Sequence, residues 1–260
     1  SSDLGGVPII TKTKSLDEGY EDIKRNTLDE CIEFITTECD ITSEKLPVVY
    51  GDSDLGRVTS GAALALKSRV LLYAASELFN NLSWASGYSH PELISLTGNR
   101  NTRWQAAADA AKAVIDLDQA GYELDDDYNS LFRGSSFMSN EIILARRAGS
   151  SNYFEKINFP IGYDLGQSGT TPSQNLVDAY EMDNGKQITD PTSGYDPQNP
   201  YVGRDPRLSY SILTNNTQFK GRPVECWEGG RDGYGVANAT KTGYYLKKYV
   251  DENLDLLQGR

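Results

Sequence analysis

Histidine occurs once among 260 residues, at His90, and cysteine three times, at Cys31, Cys39 and Cys226. A single histidine excludes mechanisms that need two, and the chain carries neither a GxSxG nucleophile elbow nor an HExxH zinc motif. An odd cysteine count without a CxxC pair argues against a disulfide framework and against a zinc site. On one helix Cys31 and Cys39 would sit about 12 Å apart, too far to bridge, so they read as small buried hydrophobes. Long apolar runs are missing as well. Ala62 to Ala75 comes closest to the run of about 18 residues that a membrane helix requires, and Lys67 and Arg69 interrupt it. Positive charge is scarce: 25 Lys and Arg stand against 37 Asp and Glu, a net charge of -12. With no basic stripe to offset that repulsion, nucleic acid is not an expected partner. The pairs Arg146-Arg147 and Lys247-Lys248 read as solvated surface. No signal peptide or lipid-acceptor cysteine stands near Ser1. No cofactor and no metal is expected.

What is present divides into two textures. Residues 1–120 read as a helical scaffold. Ser15-Leu16-Asp17-Glu18 has the form of a capping box, followed by Ile23, Leu28, Cys31, Ile32 and Ile35 at helical spacing, which predicts a helix ending before Pro47. GRVTSGAALALKSRVLLYAAS, residues 56–76, predicts a second helix, capped by Thr59 or Ser60 and running to about Asn80. It is apolar nearly all round, as a helix enclosed by others is, and its alanines admit close neighbours. Thr102-Arg103-Trp104-Gln105 predicts the start of a third helix. Its wet stripe is Gln105, Asp109, Lys112 and Asp116, and its dry stripe is Trp104, Ala107, Ala108, Ala111 and Ile115. Large residues facing small ones across such helices predict tetratricopeptide-like packing, although the Asn81–Asn101 linker is long for a plain repeat.

Residues 121–260 read as a loop-rich part with short elements. Glu141–Ala145 predicts a buried strand, Pro172–Tyr180 a short helix with proline near its start, and Leu208–Leu213 a strand. Gly149–Thr171 and Asn215–Thr242 are long loops, and their aromatic residues argue against disorder. Asp125, Asp127 and Asn129 resemble the start of a calcium loop, but Ser130 replaces the required glycine and Ser136 the closing glutamate, so a solvated loop is the better reading.

The stretch from Gly56 to Ser76 resembles the SusD/RagB family of surface nutrient-binding lipoproteins, which carries Gly-Arg-x-Thr before an Ala/Leu-rich helix ending in Leu-Tyr-Ala-Ala. Further pieces agree in order: Gly5-Gly6-Val7-Pro8, the helix from Trp104 to Leu117, Glu141-Ile142-Ile143, Pro172 to Met182, Arg204-Asp205-Pro206-Arg207-Leu208, and Gly243-Tyr244-Tyr245-Leu246-Lys247-Lys248-Tyr249. The resemblance implies a mainly α fold, a SusD-like α-α superhelix of tetratricopeptide type, with irregular loops and short strands contacting the ligand. It implies a lipid-anchored protein on the cell outer membrane, working with a SusC-like TonB-dependent transporter on an oligosaccharide ligand without catalysis. Family members are about twice as long, so this sequence is expected to be a fragment lacking the usual N- and C-terminal regions, its lipidated cysteine among them.

Sugars stack their apolar faces on aromatic rings and offer hydroxyls to planar polar groups. Asn152, Tyr153, Phe154, Phe159 and Tyr163 supply both kinds of group in one loop. Trp227, Glu228 and Tyr234, among Gly229, Gly230, Gly233 and Gly235, form a second candidate set, and Trp84, Tyr88 and His90 a third. The alternative for each ring is that it plugs its loop onto the core. Of these, Asn152, Tyr153, Phe154, Tyr163, Trp227, Tyr234 and Trp84 are the expected ligand contacts. Two other functions compete with glycan binding. A helical-repeat protein-interaction scaffold would need only the helices, and a glycoside hydrolase would need two carboxylates across one cleft, for which Asp125–Asp127, Glu225 and Glu228 are available.

Overall fold

The computed structural model describes residues 5–15, 17–132, 139–146, 149 and 151–257. They form two compact units, Ser1–Leu124 with Asn140–Arg146, and Asp125–Ser139 with Arg147–Arg260.

The first unit is built on α1 (Leu28–Lys45), α2 (Ser60–Ala75) and α3 (Arg100–Ile115), with α2 packed against both others. The helix expected from Ser15 starts twelve residues later. Ser15 closes only a turn, accepting the Glu18 N–H at 3.2 Å. The working capping box is Thr27-Leu28-Asp29-Glu30, in which Thr27 Oγ1 accepts the Glu30 N–H (3.1 Å) and the Glu30 carboxylate accepts the Thr27 N–H (2.8 Å). Both stretches fit the S/T-x-x-E pattern, but only the second is followed at once by an apolar face to bury, and packing carries most of a helix's stability. Gly5 and Gly6 thread between this cap and the linker. A Cβ on Gly5 would lie 2.1 Å from the Leu93 carbonyl oxygen, and one on Gly6 2.0 Å from that of Asn26.

Thr59 caps α2, as expected, but the helix stops at Ala75 rather than Asn80. Its terminal carbonyls are taken by side chains: Asn80 Nδ2 donates to Ala74 (2.6 Å) and Ser76 (2.7 Å), and Arg100 Nε to Ala75 (2.7 Å). Bonds of this kind satisfy a helix end and fix its length. The enclosed helix expected from its composition is only half realised. Small residues are buried (Gly61, Ala62, Ala63, Ala74, Ala75), with the Tyr122 ring seated on Gly61, whereas Leu66, Leu72 and Tyr73 are about half exposed. α3 begins at Arg100, capped by Asn99 rather than Thr102. Its dry stripe is rotated from the expected one: Ala107 and Ala110 are buried, while Ile115 is 76% exposed and Trp104 lies on the surface beneath the Arg100 guanidinium. Alanine at nearly every turn left the hydrophobic face without a clear phase. Helices that pair by small residues in this way give the tetratricopeptide-like packing read from the sequence. Residues 141–146 form no strand among the described residues, since no second strand lies alongside to satisfy their backbone.

In the second unit, Phe159, Leu213, Phe219, Val224, Tyr245 and Val250 form the main core, with Phe159 and Tyr163 both edge-on to Phe219. Its helices are short: α4 (Tyr153–Asn158), unforeseen in the first long loop, α5 (Gln174–Ala179), within the expected Pro172–Tyr180 stretch and capped by Ser173, and α6 (Pro206–Ser211). Most of the strand expected over Leu208–Leu213 is therefore helix. Pro206 at its first position and Asp205 accepting the Arg207 N–H start a helix there, outweighing the alternating pattern. Only β1 (Ile212–Leu213) remains extended, antiparallel to β4 (Tyr245–Leu246). β2 (Gln218–Phe219) and β3 (Arg222–Pro223) form a hairpin whose turn residues Lys220 and Gly221 both have positive φ, 45° and 82°, as the tightest hairpin turns require. Cys31 and Cys39 are buried as expected, while the free thiol of Cys226 is half-buried and burial pushes its pKa up to about 12.

Candidate functional site

The second loop holds its aromatic residues through one buried carboxylate. Asp232 is fully buried and accepts four hydrogen bonds: from Arg222 Nη1 (2.7 Å) and Nη2 (2.9 Å), the Glu225 N–H (2.9 Å) and the Gly162 N–H (3.1 Å). Arg222 lies 3.6 Å above the Tyr163 ring and also donates to the Gly162 and Pro223 carbonyls. The Asp232 carboxylate raises the Arg222 pKa still further. The Tyr163 hydroxyl donates to the Arg222 carbonyl, and burial raises its pKa well above the usual tyrosine value. One ion pair therefore joins the loop after α4, the β2–β3 hairpin and the glycine-rich loop.

Within the glycine-rich loop the backbone folds on itself. The Gly230 N–H donates to the Trp227 carbonyl (2.9 Å) and the Gly229 N–H to the Tyr234 carbonyl (3.3 Å). A Cβ on Gly233 would come within 1.9 Å of the Trp227 oxygen, so only glycine permits that approach. The Trp227 ring remains 47% exposed and the Tyr234 ring 72%. Arg231 clamps the base of the loop onto Glu225 through Nε (3.0 Å), Nη2 (2.8 Å) and its backbone N–H (3.1 Å). These bonds hold the Glu225 carboxyl at about 2, below its usual 4.5. A depressed carboxylate stabilises the fold fully above its unfolded value and loses that contribution as pH falls towards the folded one. In a chain whose other tryptophans, Trp84 and Trp104, are replaced by Phe, Trp227 emission is expected to hold steady from neutral pH down to about 4.5. It should then change between about 4.5 and about 2. Arg231→Met should move that change up towards the usual carboxylate range, and an unmoved transition would show that the clamp is not what titrates.

The expected ligand residues fare differently. Tyr153 is 67% exposed and Phe154 41%, side by side at the start of α4. Asn152 precedes them without capping the helix. Trp227 and Tyr234 share one loop, and Trp84 is 64% exposed on a 3-10 turn, Ser83–Gly87, of the first unit. Tyr163 requires correction: at 4% exposure, with Phe219 at its edge and Arg222 on its face, its ring is closed to a ligand and its role is to seat the loop. Phe159 is likewise core.

Sequence reasoning missed a further aromatic group. Phe154 and Phe132 both stand edge-on to Tyr249, with ring centres 6.4 and 5.2 Å away, and Tyr128 lies 5.0 Å from Phe132 and 6.4 Å from Tyr210. Lys248 is not the solvated surface residue expected of it: its Nζ sits 3.7 Å from the Phe132 ring centre and 3.2 Å from the Tyr128 hydroxyl. These rings come from four separate segments, so no local pattern announced them.

Residues 140–258 match the SusD family model. No curated protein matches the sequence. Among solved structures, a SusD-like protein from Bacteroides fragilis NCTC 9343 superposes with a TM-score of 0.71 at 27% identity, covering 96% of this chain and 48% of that one. A SusD-like carbohydrate binding protein from the same organism gives 0.73 at 20% identity, covering 96% of this chain and 45% of that one. The likeness read from the sequence thus holds, in the sequence of residues 140–258 and in the fold of nearly the whole chain. The fold is SusD-like and mainly α, a tetratricopeptide-like scaffold with a loop-rich remainder and short strands. The chain spans about half the length of these relatives.

Proposed function

We propose that this SusD-like chain binds oligosaccharides at a cell surface, without acting on them, for delivery to a TonB-dependent transporter of the outer membrane. One observation carries the reading: large aromatic rings are presented to solvent on loops that the core holds rigidly. Trp227 and Tyr234 stand on a loop fixed by the Asp232–Arg222 pair, and Tyr153 and Phe154 on a helix seated over the same core. Single exposed hydrophobics are ordinary on protein surfaces, but rings held on an immobile backbone stack on a pyranose at little entropic cost. In this reading residues 1–120 form the scaffold and residues 121–260 face the ligand. A carbohydrate binding protein among the structural relatives supports the ligand class. Surface attachment through a lipid anchor and a SusC-like partner are what the family likeness suggests. Among the described residues no helix is long and apolar enough to cross a membrane.

A carbohydrate array probed with this chain tests the proposal, followed by titration of the best ligand against Tyr153→Ala and Trp227→Ala. Each variant is expected to weaken binding about tenfold, the equivalent of about 1.4 kcal/mol for one lost stacking contact. Turnover of the bound sugar would point instead to a hydrolase. Absence of binding to any glycan would reject the reading.

A further inference from the structure

We propose that the ring cluster around Lys248 is a subsite for a negatively charged pyranose, so that the ligand is an acidic oligosaccharide rather than a neutral one. The inference rests on the glycan reading above and names its substrate class.

Lys248 is anchored by its backbone N–H, which donates to the Ser211 carbonyl at 3.1 Å. Its half-buried side chain has the Tyr128 hydroxyl and three ring faces as its partners among the described residues: Phe132 at 3.7 Å, Tyr128 at 5.4 Å and Tyr249 at 5.7 Å. No carboxylate is among them, in a chain with twelve more acidic than basic residues. Three carboxylates on the elements that carry these rings have other partners. Asp205 is held by Arg207, the buried Glu155 accepts the Asp251 N–H, and Asp251 itself accepts the Asn253 N–H. Rings remove water from one side of the ammonium and supply a weak electrostatic attraction in its place, while one hydroxyl satisfies one of its three donors. A half-buried cation left this way gains most from an anion that brings its own acceptors.

Tyr249 supplies the adjoining stacking face. It is 55% exposed, and its backbone has φ of 68°, a conformation that bulky residues rarely adopt. Strain of this kind persists where surrounding structure imposes it, and it clusters at ligand-binding sites. The buried residues Tyr245 and Val250 pin the chain on either side. Tyr249 is thereby turned outward beside Phe154, itself an expected ligand contact. A pyranose stacked on these rings would direct a carboxylate or a sulfate ester towards the Lys248 ammonium.

The test titrates three probes into the chain: an oligouronide, the same oligomer with its carboxylates reduced to alcohols, and a sulfated oligosaccharide. The wild-type chain should bind the oligouronide or the sulfated sugar at least about tenfold more tightly than the reduced oligomer, as one charge-assisted hydrogen bond allows. Which of the two binds tighter identifies the anion. Lys248→Met should erase the preference with an unchanged melting temperature, Lys248→Arg should keep it, and Tyr249→Ala should weaken all binding. Equal or tighter binding of the reduced oligomer, or a preference that survives Lys248→Met, would overturn the proposal. The glycan reading would then still stand if Trp227→Ala weakened binding of that neutral sugar. Failure of all three probes, and of the array, would overturn both.

Discussion

Replacing Arg204 with leucine is expected to destabilise the protein by about 3–5 kcal/mol, at the upper end of single-substitution effects. Arg204 is 7% exposed, and among the described residues its guanidinium bonds to no carboxylate. Instead its guanidinium donates to four backbone carbonyls: Val177 and Tyr180 through Nη2 (both 2.7 Å), Pro200 through Nη1 (2.8 Å) and, more weakly, Glu181 through Nε (3.4 Å). Two of these carbonyls belong to the end of α5, whose last groups would otherwise be unpaired. The Tyr195 ring lies 5.6 Å from the guanidinium. Leucine fills part of the volume but leaves several buried acceptors without donors, each costing about 1–3 kcal/mol. Lysine keeps the charge but not the planar fork and should lose a little over half as much. Denaturant unfolding measures both variants. A loss below about 1 kcal/mol for Arg204→Leu would mean that water replaces the guanidinium and that the cage is not structural. The Arg204–Leu208 motif thus has a physical reading: Arg204 closes α5, Asp205 caps α6 and Pro206 begins it.

This explains which parts of the molecule were legible in sequence. Signals acting within a few residues agree with the structure: Thr59 as a cap, a short helix within Pro172–Tyr180, the helix end before Pro47, the buried Cys31 and Cys39. Errors arose where two local signals competed or where a distant segment decided the outcome. Ser15 and Thr27 offer the same capping pattern, and tertiary packing selected Thr27. α2 ends where Asn80 and Arg100 reach its carbonyls, and neither residue interrupts the helical pattern before Ala75. The same holds for the candidate site. Tyr153, Phe154, Trp227, Tyr234 and Trp84, the exposed candidates, stand out in the sequence because an aromatic residue in a polar, glycine-rich loop is locally conspicuous. Tyr163 has the same local setting, and only the arrival of Arg222 and Phe219, more than fifty residues away, makes it core. Lys248 and Tyr249 were unreadable for the converse reason: a lysine pair in an acidic chain resembles surface until Phe132 and Tyr128 are placed over it.

Asp232→Ala is expected to have the second large effect, a loss of about 3–5 kcal/mol, because it strands the guanidinium of Arg222, whose side chain is only 17% exposed. All four groups facing the Asp232 carboxylate are donors: two guanidinium nitrogens and two backbone N–H groups. Asp232→Asn therefore is not conservative: each carboxylate oxygen accepts two of these bonds, so its NH2 faces two donors and loses two bonds whichever way it turns. It should cost about half as much as alanine and leave a folded chain. Arg222→Met tests the origin of the loss. If the penalty comes from an uncompensated buried charge, Arg222→Met/Asp232→Ala should be destabilised by less than the sum of the single variants, with a coupling of about 2 kcal/mol. Strict additivity would show that the two residues act separately. Binding provides the second readout. Asp232 ties Gly162 to the loop carrying Trp227 and Tyr234, and the Tyr245 hydroxyl donates to its backbone carbonyl from the core. In Asp232→Asn, assayed well below its melting temperature, the glycan contribution of Trp227 should shrink: Trp227→Ala should weaken binding less in that background than in the wild type. An undiminished effect would mean that the glycine-rich backbone, with Gly233 pressed against the Trp227 carbonyl, holds the ring in place without the ion pair.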